Sequence, residues 1–214
     1  MRYFIFVLGL FILTFGISLT ILSNLGTSPF DALLVGLANS VGLTVGSWEV
    51  ILALLMIFLN ALLQKRKPEL LGMVTAFITG VGIDLWLYLL SHQLSPQFWY
   101  SKTIIFGLGL VIIGLGTAIY LFANFAPIPI DRLTLILKEL MRTNLFISRT
   151  IIYAVFLVLA FIFGGPIGIG TILTVSLGGL VLNFFMPIVE KVMGPIINKP
   201  SQLPTTFVKE TSHH

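Results

Sequence analysis

LGLFILTFGISLTILSNLGTSPFDAL, Leu8–Leu33, and LGLVIIGLGTAIYLFANFAPIPIDRL, Leu108–Leu133, decide how this chain is built. A shift of 100 residues pairs Leu8, Gly9, Leu10, Ile12, Gly16, Asn24, Pro29, Asp31 and Leu33 with Leu108, Gly109, Leu110, Ile112, Gly116, Asn124, Pro129, Asp131 and Leu133, 9 identities in 26 positions. Shared Leu or Ile arises from composition alone at roughly one position in ten. Asn, Pro and Asp falling into one register in so apolar a chain is another matter, and duplication explains it. Beyond this stretch the match fades, with Ser47 near Ser148, Pro68 near Pro166 and Gly72 near Gly170.

The repeat lies in a chain that water cannot easily dissolve. Of its 214 residues 57% are hydrophobic and only 9% charged, with a mean hydropathy of +1.07, where soluble domains carry roughly 25% charge. Apolar stretches of about 20 residues cross a hydrocarbon core of about 30 Å. Six such spans are expected at about 3–23, 45–63, 70–90, 103–123, 148–164 and 168–187. They leave no room for a soluble second domain, so residues 1–214 read as a single membrane domain. Arg2 and the apolar run after it imitate a signal peptide. The run continues to Leu22 without an alanine-type cleavage pattern, so a retained first span is expected.

Two further helices, 29–41 and 129–143, are too short to cross comfortably, and each begins at a proline. Proline at a helix's first position sacrifices no hydrogen bond, because that N–H has no intrahelical partner. Arg132, Lys138, Glu139 and Arg142 place the second short helix at the interface or in a protein-lined cavity.

Cations set the orientation. Lys65, Arg66 and Lys67 follow the second span, Arg132, Lys138, Arg142 and Arg149 separate the fourth from the fifth, and Lys191, Lys199 and Lys209 follow the sixth. Residues 3–64 contain no Lys or Arg, and the loop near Gln93 is followed only by Lys102. The excess of cytoplasmic cations in membrane proteins then puts both termini and these clusters in the cytoplasm. Each half holds three spans, an odd number, so the second half enters from the opposite side. The expected fold is all-α, with six transmembrane helices, two short proline-started helices and two inverted-topology repeats. Repeat one covers about 3–90, repeat two about 103–187, and a cytoplasmic tail about 188–214.

The stretch SNLGTSPFDALLVGL, Ser23–Leu37, with the spans on either side, resembles the YczE/YyaS/YitT family of bacterial membrane proteins. LGTSPFDALLVGL looks like that family's LG-x-SP-[aromatic]-D motif, and the resemblance covers most of the chain. In the second half APIPIDRL keeps Pro129 and Asp131 but has Ile130 between them, where the family carries a GPRD-type turn, so no role for an arginine before that aspartate is carried over. The resemblance implies the bacterial cytoplasmic membrane and no particular chemistry.

Chemistry must therefore be read from polar residues inside apolar segments. Asp31 follows Ser28 by three positions, the spacing of a capping box, and a first-turn carboxylate also complements the helix dipole. Against this structural role for Asp31 and Asp131 stands the habit of transporters to build midplane sites from discontinuous helices at equivalent places in inverted repeats. Asn24 and Asn124 precede the two breaks and either satisfy freed backbone or contact solute. Glu49 and Asp84 lie within spans beside Trp48 and Trp86, and intramembrane acids are functional suspects. Glu49 is near enough to a span end to reach water instead, whereas Asp84 is too far from the loops to do so and is expected to face protein or a cavity. Arg149 either pairs with an acid or sits among head groups, and Asn183 lies near the equivalent of Asp84. Gly9, Gly16, Gly109, Gly116 and Gly107 are expected to let helices pack closely, and Gly164-Gly165-Pro166 to form a turn.

The expected substrate-binding set is Asn24, Ser28, Asp31, Glu49, Asp84, Trp86, Asn124 and Asp131. No histidine lies in a span, no H-E-x-x-H, G-x-S-x-G or P-loop pattern occurs, and cysteine is absent, so neither an enzyme nor a metal or cofactor site is expected. The net charge of +4 sits between helices and serves orientation; no nucleic-acid partner is expected. The expected function is movement of a small solute through the bilayer, tilted by the acids toward proton or cation coupling or a zwitterion. A substrate-capturing subunit of an energy-coupling vitamin importer and a non-transporting membrane partner or regulator stay open, as does a homo-oligomer. His213-His214 read equally as native or as a tag remnant.

Overall fold

The computed structural model describes residues 2–94, 96–126 and 128–197. Lys199, Lys209 and His213-His214, at the far end of the expected tail, lie outside them. The described residues form eight helices and no strand: α1 (Arg2–Leu22), α2 (Pro29–Val41), α3 (Val45–Gln64), α4 (Leu71–Ser91), α5 (Trp99–Ala123), α6 (Pro129–Met141), α7 (Leu145–Ile162) and α8 (Ile169–Ile197). Six of them, all but α2 and α6, are long and apolar enough to cross a membrane. Their outer faces carry large side chains such as Phe146 and Phe161, 76% and 79% exposed, which suit hydrocarbon and not water.

The last helix is longer than the expected span of 168–187: α8 runs through Pro187 and Pro195 to Ile197, so the segment expected as tail begins as a continuation of the helix. Proline is tolerated inside such helices because neighbouring groups can satisfy the carbonyl it frees.

At the centre α1 and α5 cross in antiparallel contact, at backbone distance. A Cβ on Gly16 would lie 2.7 Å from Ile113 N and 2.8 Å from Gly109 O; one on Gly116 would lie 2.4 Å from Leu13 N and 2.9 Å from Gly9 O. Without side chains the two backbones come together, the usual means of joining helices in lipid. Gly107 is the exception, since nothing lies within 4 Å of where its Cβ would be. It is two residues from Gly109, on another face of α5.

The 100-residue register persists well beyond Leu33. α2 and α6 both have 13 residues and start at Pro29 and Pro129. α3 and α7 start at residues 45 and 145, where the side chains of Thr44 and Asn144 accept from the N–H groups of Ser47 and Ile147. Ser47 therefore corresponds to Ile147 and not to Ser148. Packing follows the same pattern: α4 lies on α1 and α8 on α5, while α2 lies against α7 and α6 against α3.

The two breaks are held across the halves. Gly170 N–H donates to Leu25 O at 2.8 Å, while Thr75 Oγ1 donates to Ala126 O at 3.3 Å and Asn60 Nδ2 to Pro129 O at 3.1 Å. Arg2 donates through Nε to Ala123 O and through a terminal nitrogen to Asn124 O, which puts a cation at the C-terminal end of the α5 dipole. Gly165 is more than a turn residue, for a Cβ there would lie 2.2 Å from Ala32 O.

The correspondence fails in one place. α3 and α4 are locked together, a Cβ on Gly46 coming within 2.0 Å of Gly80 O, whereas α8 leans on α5 and hardly touches α7. Gly178 and Gly179 of α8 lie in the wall of an internal cavity, and among the described residues nothing from a neighbouring helix comes within 4 Å of either Cβ position.

Candidate functional site

Between α1, α2, α3 and α4 of the first half and α5, α6, α7 and α8 of the second lies a cavity of about 180 Å³. Its polar lining is Ser28, Asp31, Glu49 and Thr79 from one half and Thr117, Tyr120, Asp131, Arg149, Tyr153 and Thr174 from the other. Leu13, Ile17, Leu110 and Ile113 supply apolar wall. A larger hollow of about 720 Å³ near Ile57, Leu71 and Phe125 is walled mainly by apolar side chains and gathers fewer ionisable groups, at Lys67, Glu69 and Arg132. The smaller cavity is the candidate site, because buried acids and a cation converge there.

Asp31 both caps and lines. Its N–H donates to Ser28 Oγ at 3.2 Å and its Oδ2 accepts from the same hydroxyl at 2.5 Å, so the expected capping pair forms. The carboxyl is nevertheless turned to the cavity, with the residue only 7% exposed. Pro29 ends the preceding extended segment and starts α2, which places residue 31 in the first turn facing the break.

Glu49 is 5% exposed, on the inner face of α3 and within electrostatic reach of Asp31. Its Oε1 lies 3.2 Å from Thr79 Oγ1, but that hydroxyl is also 3.0 Å from the carbonyl oxygens of Thr75 and Ala76. A hydroxyl has one proton to donate. Glu49 thus shares the one side-chain donor it has among the described residues with two backbone acceptors.

The second half arranges the equivalent position differently. Ile128 stands where Ser28 does and cannot cap, so Asp131 is free of that role. Asp131 Oδ2 accepts from Tyr120 Oη at 2.8 Å, and Oδ1 lies 3.6 Å from an Arg149 terminal nitrogen. The Arg149 guanidinium also sits 5.7 Å from the centre of the Tyr153 ring, a favourable placement for a cation over a π face. Of the two readings open for Arg149, it is the pairing with an acid that the structure has.

Four of the eight expected site residues, Ser28, Asp31, Glu49 and Asp131, are brought together, and the other four lie elsewhere. Asn24 and Asn124 are exposed and close their helices in the left-handed conformation, with φ of 54° and 44°, which asparagine tolerates better than most residues. Asp84 accepts from Thr44 Oγ1 at 2.6 Å and from Gly46 N–H at 2.8 Å, so it caps the start of α3 from α4. Trp86 packs on Phe11 and Phe15, ring centres 4.8 and 4.6 Å away, and donates to Phe11 O. Reading the sequence missed Thr79, Tyr120 and Tyr153, which look like ordinary residues of apolar spans. The register offered a signal for Arg149, exactly one repeat length after Glu49.

Comparison with known proteins gives relatives without a stated activity. Residues 1–187 match the model of a family described as a family of unknown function, DUF6198. The chain is 59% identical over 191 residues to the uncharacterized protein YyaS of Bacillus subtilis strain 168, covering 89% of this chain and 95% of that one. It is 36% identical over 188 residues to the uncharacterized membrane protein YczE of the same organism, covering 87% and 86%. An uncharacterized protein of Haemophilus influenzae is 27% identical over 190 residues, covering 87% and 84%. No solved structure matches.

Proposed function

We propose that the chain, which belongs to the DUF6198 family together with its likeness to YyaS and YczE, is a secondary transporter or facilitator of a small solute. The observation that carries this reading is the position of the cavity. It is walled by both halves, closed on one flank where α3 and α4 lock through Gly46 and Gly80, and loose on the other where α8 stands off α7. A site that equivalent elements flank unequally is what alternating access needs: the tight contact opens as its counterpart closes.

The halves are inverted-topology repeats in this proposal. Support comes from the exchange of Gly16 with Gly109 and of Gly9 with Gly116 across antiparallel helices, a pattern that a two-fold axis near the membrane plane produces. Both termini face the cytoplasm of a bacterial cell, which fits Arg2 meeting the end of α5 beside the cation-rich α6. The cavity holds three carboxyls and one guanidinium, which favours coupling to protons or cations.

Flux into proteoliposomes made from this chain alone tests the proposal. Solute-dependent uptake separates a transporter from a capture subunit that needs an energy-coupling partner and from a regulator; uptake equal to that of empty vesicles for every solute tried rejects it. In a chain without cysteine, single cysteines test orientation. An impermeant thiol reagent added to intact cells should label position 93 and leave position 66 unlabelled.

A further inference from the structure

We infer that Asp31 and Glu49 form the seat for the ammonium group of a small organic cation, whose carbon portion lies against Leu13, Ile17 and Ile113; this rests on the reading of the cavity as a solute site.

The case begins with what the pair lacks. Both residues are more than nine-tenths buried and both line the cavity, yet among the described residues no Lys, Arg or His pairs with either. Glu49 Oε2 has no hydrogen-bond donor among the described residues, and Oε1 has only the shared Thr79 hydroxyl. Removing carboxylates from water costs several kcal/mol per ion unless a cation or donors replace the water. In this cavity an external cation can do so.

The second half displays such a cation already in place. α3 and α7 begin one repeat length apart, so Glu49 corresponds to Arg149 and Asp31 to Asp131. The Arg149 guanidinium sits 3.6 Å from Asp131 and over Tyr153. The chain thus carries its own cation beside one break and an acid at the matching position beside the other. Replacing Arg by Glu at that position turns a neutral ion pair into a seat for a cation from outside.

The chemistry of the walls selects the kind of cation. A hard divalent ion takes six or more oxygens, and no group of three His, Cys, Asp or Glu suited to a metal occurs among the described residues. Two carboxyls can accept from the N–H groups of an ammonium in charge-assisted hydrogen bonds, and aliphatic walls favour an alkyl body over a hydrated ion. A volume of about 180 Å³ suits a molecule of a few non-hydrogen atoms.

The test uses the purified full chain in detergent with n-propylammonium as the probe, propionate and 1-propanol as size-matched anion and neutral comparators, and thermal unfolding at constant ionic strength as the readout. Propylammonium should raise the unfolding temperature and the comparators should not. Glu49→Gln and Asp31→Asn should each raise the apparent Kd at least about tenfold, as expected for loss of a charge-assisted hydrogen bond. Glu139→Gln, which removes an acid outside the cavity, should respond like wild type. A response to propionate equal to that to propylammonium, an unchanged response in Glu49→Gln, or no response to propylammonium would overturn the assignment; the last is the result if the two carboxyls satisfy each other by sharing a proton. Propylammonium binding without flux in proteoliposomes would keep the seat and reject transport, whereas flux of anionic solutes alone would keep transport and reject the seat.

Discussion

α3 and α7 are each capped one residue before they start, at Thr44 and Asn144, and at the fifth residue one carries Glu49 and the other Arg149. The helix starts and caps match while the charge is reversed. The same split appears at the short helices, where Ser28 caps α2 and Ile128 leaves α6 without a side-chain cap. Secondary structure tolerates such divergence because backbone hydrogen bonds do not depend on which polar group projects into the cavity. The cavity does not tolerate it neutrally: one side holds an ion pair, the other two acids. A second contrast is mechanical, with α4 locked on α3 while α8 hardly touches α7. Together they describe helices in matching register around a cavity that is unequally charged and unequally flanked.

The mechanical contrast predicts the largest effect. Gly46→Ala puts a methyl group 2.0 Å from Gly80 O, where backbone must move, and should cost about 3 kcal/mol, the upper part of the range for overpacking. Gly179→Ala, with nothing from a neighbouring helix within 4 Å of its Cβ position, should instead stabilise by up to about 1 kcal/mol through helix propensity. Thermal unfolding in detergent measures both, and equal losses would mean that α7 and α8 pack as α3 and α4 do.

The chemical contrast predicts the next. Glu49→Gln should lower solute flux about 10- to 100-fold, the worth of one charge-assisted hydrogen bond, with the protein still folded and inserted. Wild-type flux from this variant at matched protein amounts would leave the carboxyl without a part in solute movement. Tyr120→Phe removes the 2.8 Å hydrogen bond to Asp131 and should cost about 1 kcal/mol. If its unfolding temperature matched wild type, the ion pair with Arg149 alone would hold Asp131.

Asp84 carries the smallest expected effect. Asparagine can still accept from Gly46 N–H, so Asp84→Asn should cost at most about 1 kcal/mol and leave flux unchanged. A loss of flux comparable to that of Glu49→Gln would return Asp84 to the solute pathway.

Much of the fold was legible in the residues, and some of the site. The prolines at 29 and 129, the length of the apolar runs and the 100-residue register placed eight helices to within a few residues, apart from the end of α8. Ser28 and Asp31 announced their cap, whereas Glu49, near the end of its span, left exposure at the interface as open as burial. The expected site residues that lie away from the cavity include ones whose contacts depend on another segment. Asp84 looks like a lone intramembrane acid until α3 begins beside it, and Asn24 looks like a ligand until its backbone is seen in the left-handed region.

The sequence by itself determined the apolar spans, the helices and the 100-residue register, because hydropathy, proline geometry and matched spacing are local or arithmetic properties of the chain. Only the tertiary structure decided which acids meet. Whether a carboxyl faces a cavity, caps a neighbouring helix or finds an arginine depends on how helices far apart in sequence are rotated and pressed together. The close contacts of α1 with α5, of α3 with α4 through Gly46 and Gly80, and of α2 with α7 and the Gly165 that follows it go with an arrangement in which Asp31, Glu49, Asp131 and Arg149 line one space while Asp84 lies outside it.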